Sequence, residues 1–284
     1  MAVCPICSST DFRPRRTAGT LTLGECRGCA LAYADPLEPA VDETVAEAVS
    51  SITDSGYNDG MRWYFESRVD EARQLAPNRL ARYTDLLGHA PRELLEVGCG
   101  TGAFGPAYGE LGIRWQGVEL NPESAAFARE HALHVEQGDF LRYEGPPVDV
   151  VVASQVLEHV LAPRAFLRKA AAVRRPGGLL LLDVPNHGGL AARIRTLPRV
   201  GEGEFGFVQP PYHLLAYRRA TLRTLLEDEG WRIEVLRAVG NDDHTYGQLT
   251  TGAMNGRQRL ALLAAGRMGL GSLLVVVASH RGPD

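Results

Sequence analysis

The run Leu94-Leu95-Glu96-Val97-Gly98-Cys99-Gly100-Thr101-Gly102 joins an apolar segment to three glycines at alternate positions. A second acid follows 23 residues after Glu96, in Gly117-Val118-Glu119-Leu120-Asn121. Gly98, Gly100 and Gly102 remove side chains where a backbone must approach a bound molecule closely. A carboxylate at the tip of the next strand, Glu119 with Leu120 beside it, suits two ribose hydroxyls. The pattern predicts a buried strand, a tight turn and a nucleoside-bearing ligand. Dinucleotide sites read G-x-G-x-x-G and place a pyrophosphate on the helix that follows. Here the glycines read G-x-G-x-G, and Glu96 stands two positions before the first. A carboxylate there repels pyrophosphate and attracts an ammonium group. S-adenosylmethionine, with an amino-acid end and a ribose, fits both acids.

Further segments extend the pattern. Val135-Glu136-Gln137-Gly138-Asp139-Phe140 reads as a short strand ending in an acid and an aromatic, with Asp139 placed to accept from an adenine amino group and Phe140 to pack on its ring. Val148 to Ser154 is a near-continuous apolar run, as in a strand buried on both faces; Ser154 at its end is a further candidate contact. Then come Gln155-Val156-Leu157-Glu158-His159-Val160, the turn Arg175-Pro176-Gly177-Gly178 and the strand Leu179 to Val184. With these motifs in this order, residues 90 to 240 resemble the class I S-adenosylmethionine-dependent methyltransferases, in particular small-molecule enzymes with a Leu-Glu-His-Val segment after the fourth strand. The resemblance implies a Rossmann-like α/β sheet, mostly parallel, with an antiparallel last strand.

Methyl transfer from a sulfonium needs acceptor, methyl carbon and sulfur in line. An alcohol or phenol acceptor also needs a base, for which histidine is suited near neutral pH. His159, His187, His213 and His244 fall at expected strand ends or in expected lids. His159 and His213 are the candidate catalytic residues, with a pH–rate limb expected near the ordinary histidine value of about 6.5. Relatives that methylate polyprenyl catechols carry a further Glu ahead of the Glu-His pair and bind a divalent cation. Gln155 takes that place here, and the lost carboxylate weakens a hard-cation site, so no catalytic metal is expected.

Four of five cysteines form two C-x-x-C pairs, Cys4/Cys7 and Cys26/Cys29, with 18 residues between them. Such pairs set four thiolates around one zinc and leave no open position, which marks a structural site. Residues 13 to 25 between them have the alternation of a hairpin. The unit resembles a zinc ribbon. Cys99, in the glycine loop, reads as a small buried residue.

These residues need elements to hold them. The 284-residue chain is 45% hydrophobic and 23% charged, enough for an α/β core and an appendage. Strand and helix alternate through the core, so ligands are expected beyond the carboxyl ends of the strands. We divide the chain into a zinc-ribbon-like unit at 1–35, a linker and helical cap at 36–90, and a methyltransferase domain at 91–284. That domain has lid inserts at about 186–212 and 238–272. In the cap, a break at 55–60 precedes a helix from Arg62; the aromatics here, Tyr57 and Tyr64 among them, read either as helix-on-sheet core or as a lining of the cofactor pocket. Net charge is −4, with 9 Arg against 13 acids in residues 1–90 and a balanced remainder. Nucleic-acid affinity rests largely on Lys and Arg, so the balance speaks against a nucleic-acid partner. The absence of an apolar run of about 20 residues and of a signal peptide points to a cytoplasmic protein without membrane contact. The leading expectation is an O-methyltransferase acting on a small molecule of bacterial specialised-metabolite or sugar biosynthesis. The alternatives are an N- or C-methyltransferase, an RNA-base methyltransferase with the ribbon as RNA clamp, and a module that only binds S-adenosylmethionine.

Overall fold

The structure, a computed structural model, describes residues 3–37, 57–197, 204–210, 213–240 and 268–281. His244, Tyr212 and most of the 238–272 insert lie outside them, as does the side chain of Tyr57. The N-terminal unit holds β1 (Phe12–Ala18), β2 (Leu21–Cys26) and β3 (Ala32–Asp35), followed by the long helix α1 (Tyr57–Leu87). The core alternates β4 (Glu93–Val97), α2 (Phe104–Glu110), β5 (Arg114–Glu119), α3 (Pro122–Glu130), β6 (Val135–Gln137), β7 (Val148–Ser154), α4 (Pro163–Val173) and β8 (Arg174–Pro185). Then follow α5 (Leu190–Arg195), β9 (Leu215–Ala216), α6 (Arg219–Asp228), β10 (Trp231–Val239) and β11 (Leu273–His280).

Seven strands make the main sheet, in the order β10-β11-β8-β7-β4-β5-β6. β4, β5, β6, β7 and β8 run parallel, and β11 inserts antiparallel to both β10 and β8. The expected Rossmann-like sheet with its antiparallel last strand is therefore present. Period-two alternation explains why the strands are apolar throughout. Val150, Val152, Leu179, Leu181, Val275 and Val277 face one core with α1, α2 and α3. Val151, Ala153, Leu180, Leu182, Val276 and Ala278 face the other, with α4 and α6. Both faces are covered, so polar alternation is lost.

The N-terminal unit is no free appendage. Its sheet runs β1-β2-β3-β9, and β9 lies in the same chain segment as His213. Cys4, Ile6, Cys26, Leu31 and Tyr33 share a core with Leu222, Leu225 and Leu226 of α6. Thr221 Oγ1 donates to the Cys29 carbonyl at 2.6 Å, and Arg164 Nε to the Ile6 carbonyl at 2.7 Å. The expected hairpin is present, with Ala18 opposite Leu21 across a two-residue turn at Gly19 in the left-handed region.

Two local readings differ. α1 begins at Tyr57, so helix replaces the break expected through residue 60. The insert at 186–212 is not wholly irregular: Leu190-Ala-Ala-Arg-Ile-Arg195 forms a helix, as good helix formers do once Gly189 lets the chain turn in. Among the described residues, no helix is long and apolar enough to cross a membrane.

Candidate functional site

The glycine loop leaves β4 with Gly98, Gly100 and Gly102 all at positive φ, 65°, 55° and 73°. The three serve different ends. A Cβ on Gly98 would come within 2.6 Å of Val156 Cγ2, and one on Gly102 within 2.7 Å of Leu133 Cδ1. Gly100 alone has open space above it, with nothing within 4 Å. It is therefore the glycine over which a ligand can lie, while the other two close the loop against the protein. Glu119, at the end of β5, accepts from the Gly100 amide at 2.7 Å through one oxygen and from the Asn121 amide at 2.8 Å through the other. Asn121 in turn caps α3 by accepting from Glu123 and Ser124. Glu119 is thus fixed by both the loop and the next helix. Leu120 beside it is 57% exposed, an apolar side chain left facing outward at this edge.

Glu96 is buried and accepts from Trp115 Nε1 at 2.8 Å. Burial pushes its carboxyl up to about 7, against the opposing effects of that hydrogen bond and of Arg79 and Arg68. Sequence reasoning missed Arg79 and Asp183. Arg79 is a buried guanidinium of α1, its Cζ 4.9 Å from the centre of the Phe104 ring, and it interacts with Glu96, Asp183, Tyr83 and Tyr108. Asp183 on β8 accepts from Ser154 Oγ and from Gln155 Nε2, each at 2.7 Å. Burial raises its pKa. A lone acid in an apolar strand was a readable signal. Arg79 had none, because only docking of α1 on the sheet brings it there. Ser154 is thereby committed to Asp183, and Gln155, at φ 54°, is turned away from Glu158 toward the same acid.

Phe140 is 5% exposed and packs with Phe166, ring centres 5.0 Å apart, so its ring is part of the core. Asp139 is exposed and caps the short turn Phe140–Arg142 by accepting from the Leu141 amide. Tyr64 is exposed beside Arg68, whose guanidinium also lies 5.8 Å from the centre of the Phe104 ring. Cys99 is half-buried against Gly117.

Beyond β7, the turn Leu157–His159 and the segment 213–217 are stitched together. The Leu214 amide donates to the Glu158 carbonyl at 3.2 Å, and Tyr217 Oη to the Leu157 carbonyl at 3.1 Å. This sets the His159 and His213 rings edge to face, 4.9 Å apart. Donor atoms of Glu158, His159 and His213 all lie within 4.8 Å of one another. Glu158 is fully buried, and neither carboxylate oxygen has a hydrogen-bond partner. Burial pushes its carboxyl up to about 8. Burial, aided by His159, brings His213 down to about 4. With His213 as third donor, the Glu-His pair is not left alone by the loss of a carboxylate at position 155. His187 lies elsewhere, buried against Phe205 with neither ring nitrogen partnered and lowered to about 4 by burial.

The four N-terminal thiols converge. Cys4 and Cys29 Sγ lie 3.6 Å apart and Cys7 and Cys26 Sγ 3.4 Å, with all four within 4.8 Å. Disulfides require about 2.05 Å, whereas a tetrahedron with zinc–sulfur bonds of about 2.3 Å has edges near 3.8 Å. The two turns also repeat one backbone pattern. Cys4 N donates to Ser9 O and Ser8 N to Cys4 O; Cys26 N donates to Leu31 O and Ala30 N to Cys26 O. Ser8 and Ala30 share φ 59°. These residues fit a tetrahedral metal.

A family model described as a methyltransferase domain matches residues 69–236, more than half of the chain. The chain belongs to the class I S-adenosylmethionine-dependent methyltransferases. The ubiquinone biosynthesis O-methyltransferase of Bordetella avium is 29% identical over 181 residues, covering 56% of this chain and 74% of that protein. The protein of the same name from Xanthomonas euvesicatoria pv. vesicatoria is 31% identical over 194 residues, covering 60% and 80%. In fold, the chain is similar to the plantazolicin methyltransferase BpumL in complex with a triazolic desmethylPZN analogue and SAH. The TM-score is 0.56 at 16% identity, over 86% of this chain and 97% of that one.

As a methyltransferase, the chain binds S-adenosylmethionine, and Glu96 and Glu119 generate two expectations. Glu119→Ala removes charge-assisted hydrogen bonds of about 1.5–3 kcal/mol each; calorimetry with S-adenosylhomocysteine should show affinity down by about tenfold or more. Glu96 has its folded pKa raised by burial, so the stability it contributes to the empty fold is lost as pH rises through about 7. A bound ammonium favours the ionised form. Affinity for S-adenosylhomocysteine should therefore fall by about tenfold per unit as pH drops below this value, and Glu96→Gln should flatten that dependence.

Proposed function

We propose that the enzyme methylates an oxygen of a small-molecule acceptor, with His213 as the base. The convergence of Glu158, His159 and His213 beyond the end of β7 carries this reading, and the likeness to ubiquinone biosynthesis O-methyltransferases supports oxygen as the acceptor. Glu96 faces the ammonium of the cofactor and Arg79 its carboxylate, a matched pair for a zwitterion. Glu119 accepts from the ribose, Gly100 gives the backbone approach, and Leu120 and Asp139 bound the adenine. When bound, S-adenosylmethionine supplies an electrophilic methyl group on sulfur. His213, neutral above about pH 4, takes the acceptor proton. Glu158, within reach of both rings, then gains a cationic neighbour that offsets the cost of its own ionisation. The acceptor is a small molecule of specialised-metabolite or sugar biosynthesis.

A second reading gives the same three donors to a divalent cation. It is favoured by the two unpartnered oxygens of Glu158, because a buried acid without a hydrogen-bond partner is costly. One experiment separates the readings. Under the base reading, His213→Ala lowers turnover by about 10²-fold or more, with S-adenosylhomocysteine affinity retained and with wild-type turnover indifferent to EDTA. Loss of turnover in EDTA while elemental analysis still finds the zinc of the four cysteines, restored by added magnesium, assigns the cluster to a cation. Full turnover in His213→Ala overturns both.

The four N-terminal cysteines hold a structural zinc that contributes to folding. One equivalent should co-purify by elemental analysis, and Cys4→Ser combined with Cys29→Ser should lose it. Because β3 carries β9, the same variant should melt at lower temperature. A full equivalent retained in that variant would remove these residues as ligands.

A further inference from the structure

We propose that Trp115 is a positioning residue for the cofactor: its indole body supports the glycine loop, and its N–H holds Glu96 for the amino-acid end of S-adenosylmethionine. The inference rests on the reading that Glu96 meets the ammonium group. Trp115 stands on β5 opposite Leu94 of β4, and Gly117, two residues on and on the same face, stands opposite Glu96. With no side chain at Gly117, the ring lies along its own strand and reaches across to the acid. A Cβ at Gly117 would come within 2.9 Å of Trp115 Cη2, one at Gly102 within 3.2 Å of the same atom, and one at Gly105 within 2.9 Å of Trp115 Cε3. Glycines from β5, the loop and α2 thus clear the space of one ring, and the loop closes on that ring and on Leu133.

Packing explains the body of the ring but not its nitrogen. Trp115 is buried, and its Nε1 donates to Glu96 Oε2 at 2.8 Å in the interior. An indole N–H is a donor only, so it favours the ionised carboxylate, which is an acceptor only. The chain has three tryptophans. Trp63 is exposed, and the indole nitrogen of Trp231, a ring also buried, has no hydrogen-bond partner. Trp115 gives its N–H to an acid instead. That bond engages Oε2 and leaves Oε1 for the ammonium.

The other charged and titratable groups about Glu96 come from α1, α2, β8 and the loop. Arg68 and Arg79 of α1 favour its ionised form, and Asp183 of β8 opposes it. Tyr108 of α2 is pushed up by burial and by Glu96, so it is neutral there. Cys99 of the loop is pushed up by burial, Glu96 and Glu119, and is neutral as well. Trp115 acts in both directions. Its apolar rings help to keep water from the carboxyl, which disfavours ionisation, and its N–H favours it. Glu96 is left near 7, an acid that an arriving ammonium can ionise and that a fixed donor already orients.

The test is calorimetry of S-adenosylhomocysteine binding to the full chain across pH, with Trp115→Phe and Glu96→Gln. Trp115→Phe keeps an aromatic body and removes the donor. The pH below which affinity falls should move up by about one unit, so that binding is about tenfold weaker near pH 6 and close to wild type at about pH 8.5. Added to Glu96→Gln, the same substitution should leave the pH profile flat. With Glu96→Gln flat, an unmoved profile in Trp115→Phe, or a loss uniform across pH, would overturn the positioning role. A pH profile retained in Glu96→Gln would strike the ammonium reading itself, and with it the cofactor role of Trp115. Should Trp115→Phe fail to fold, the indole N–H resonances of the wild-type chain carry the test. The one that shifts in Glu96→Gln should titrate with a midpoint near 7. Bound S-adenosylhomocysteine should hold it at its ionised-state position near pH 6. Indole resonances indifferent to Glu96→Gln, to pH or to the ligand would overturn the inference.

Discussion

The segment from His213 to Arg218 is the member that joins the N-terminal sheet to the turn after β7. On one edge its residues Leu215 and Ala216 pair with Tyr33 and Ala32 of the N-terminal sheet. On the other, the Leu214 amide and the Tyr217 hydroxyl hold the turn that carries Glu158 and His159. At its downstream end, Arg218 reaches back to Glu25 on β2. A strand of two residues has little stability by itself, since ordering backbone costs about 1–2 kcal/mol per residue. It persists because two other bodies supply its hydrogen-bond partners. The cysteine-bearing unit is therefore tied to this segment: β3 cannot move without moving the strand that follows His213.

The cofactor side is built on a different constraint, the burial of charge. Glu96, Asp183 and Arg79 are all removed from water beneath the glycine loop. Isolated charges there would be unfavourable by several kcal/mol, and each is answered locally: Glu96 by Trp115, Asp183 by Ser154 and Gln155, and Arg79 by the Phe104 face and the acids themselves. The carboxyl of Glu96 nonetheless sits high. That leaves an acid whose preferred state changes when a cation arrives, which suits a site for an ammonium group.

Glu158 shows the same physics carried further. It has no partner for either oxygen, and its neighbours are two rings rather than donors already engaged with it. Such a group is expensive to keep buried, and the convergence of His159 and His213 on it marks a place where proton or ligand exchange relieves the cost. Asp183 is equally buried but hydrogen-bonded by two side chains, so the two acids differ in how their burial is compensated.

Much of this was legible in the chain. Apolar runs of strand length separated by helical segments specified a doubly covered parallel sheet, because strands buried on both faces lose polar alternation. The C-x-x-C spacing specified the cysteine cluster, since a short loop brings its own thiols together whatever the rest of the chain does. The positions of Glu96 at the end of β4, of Glu119 at the end of β5 and of the glycine turn between them were readable for the same reason: they are set within one strand and one turn. Other facts needed the tertiary structure. The roles of Gly98 and Gly102 depend on Val156 and Leu133, side chains that sequence distance hides. Phe140 joins the core because α4 brings Phe166 against it. Arg79 enters the site through the docking of α1, and His213 meets Glu158 through backbone hydrogen bonds across more than fifty residues. Short-range geometry was written in the sequence; the pairing of distant charges and rings was decided only when the sheet faces were covered and the N-terminal unit closed against them.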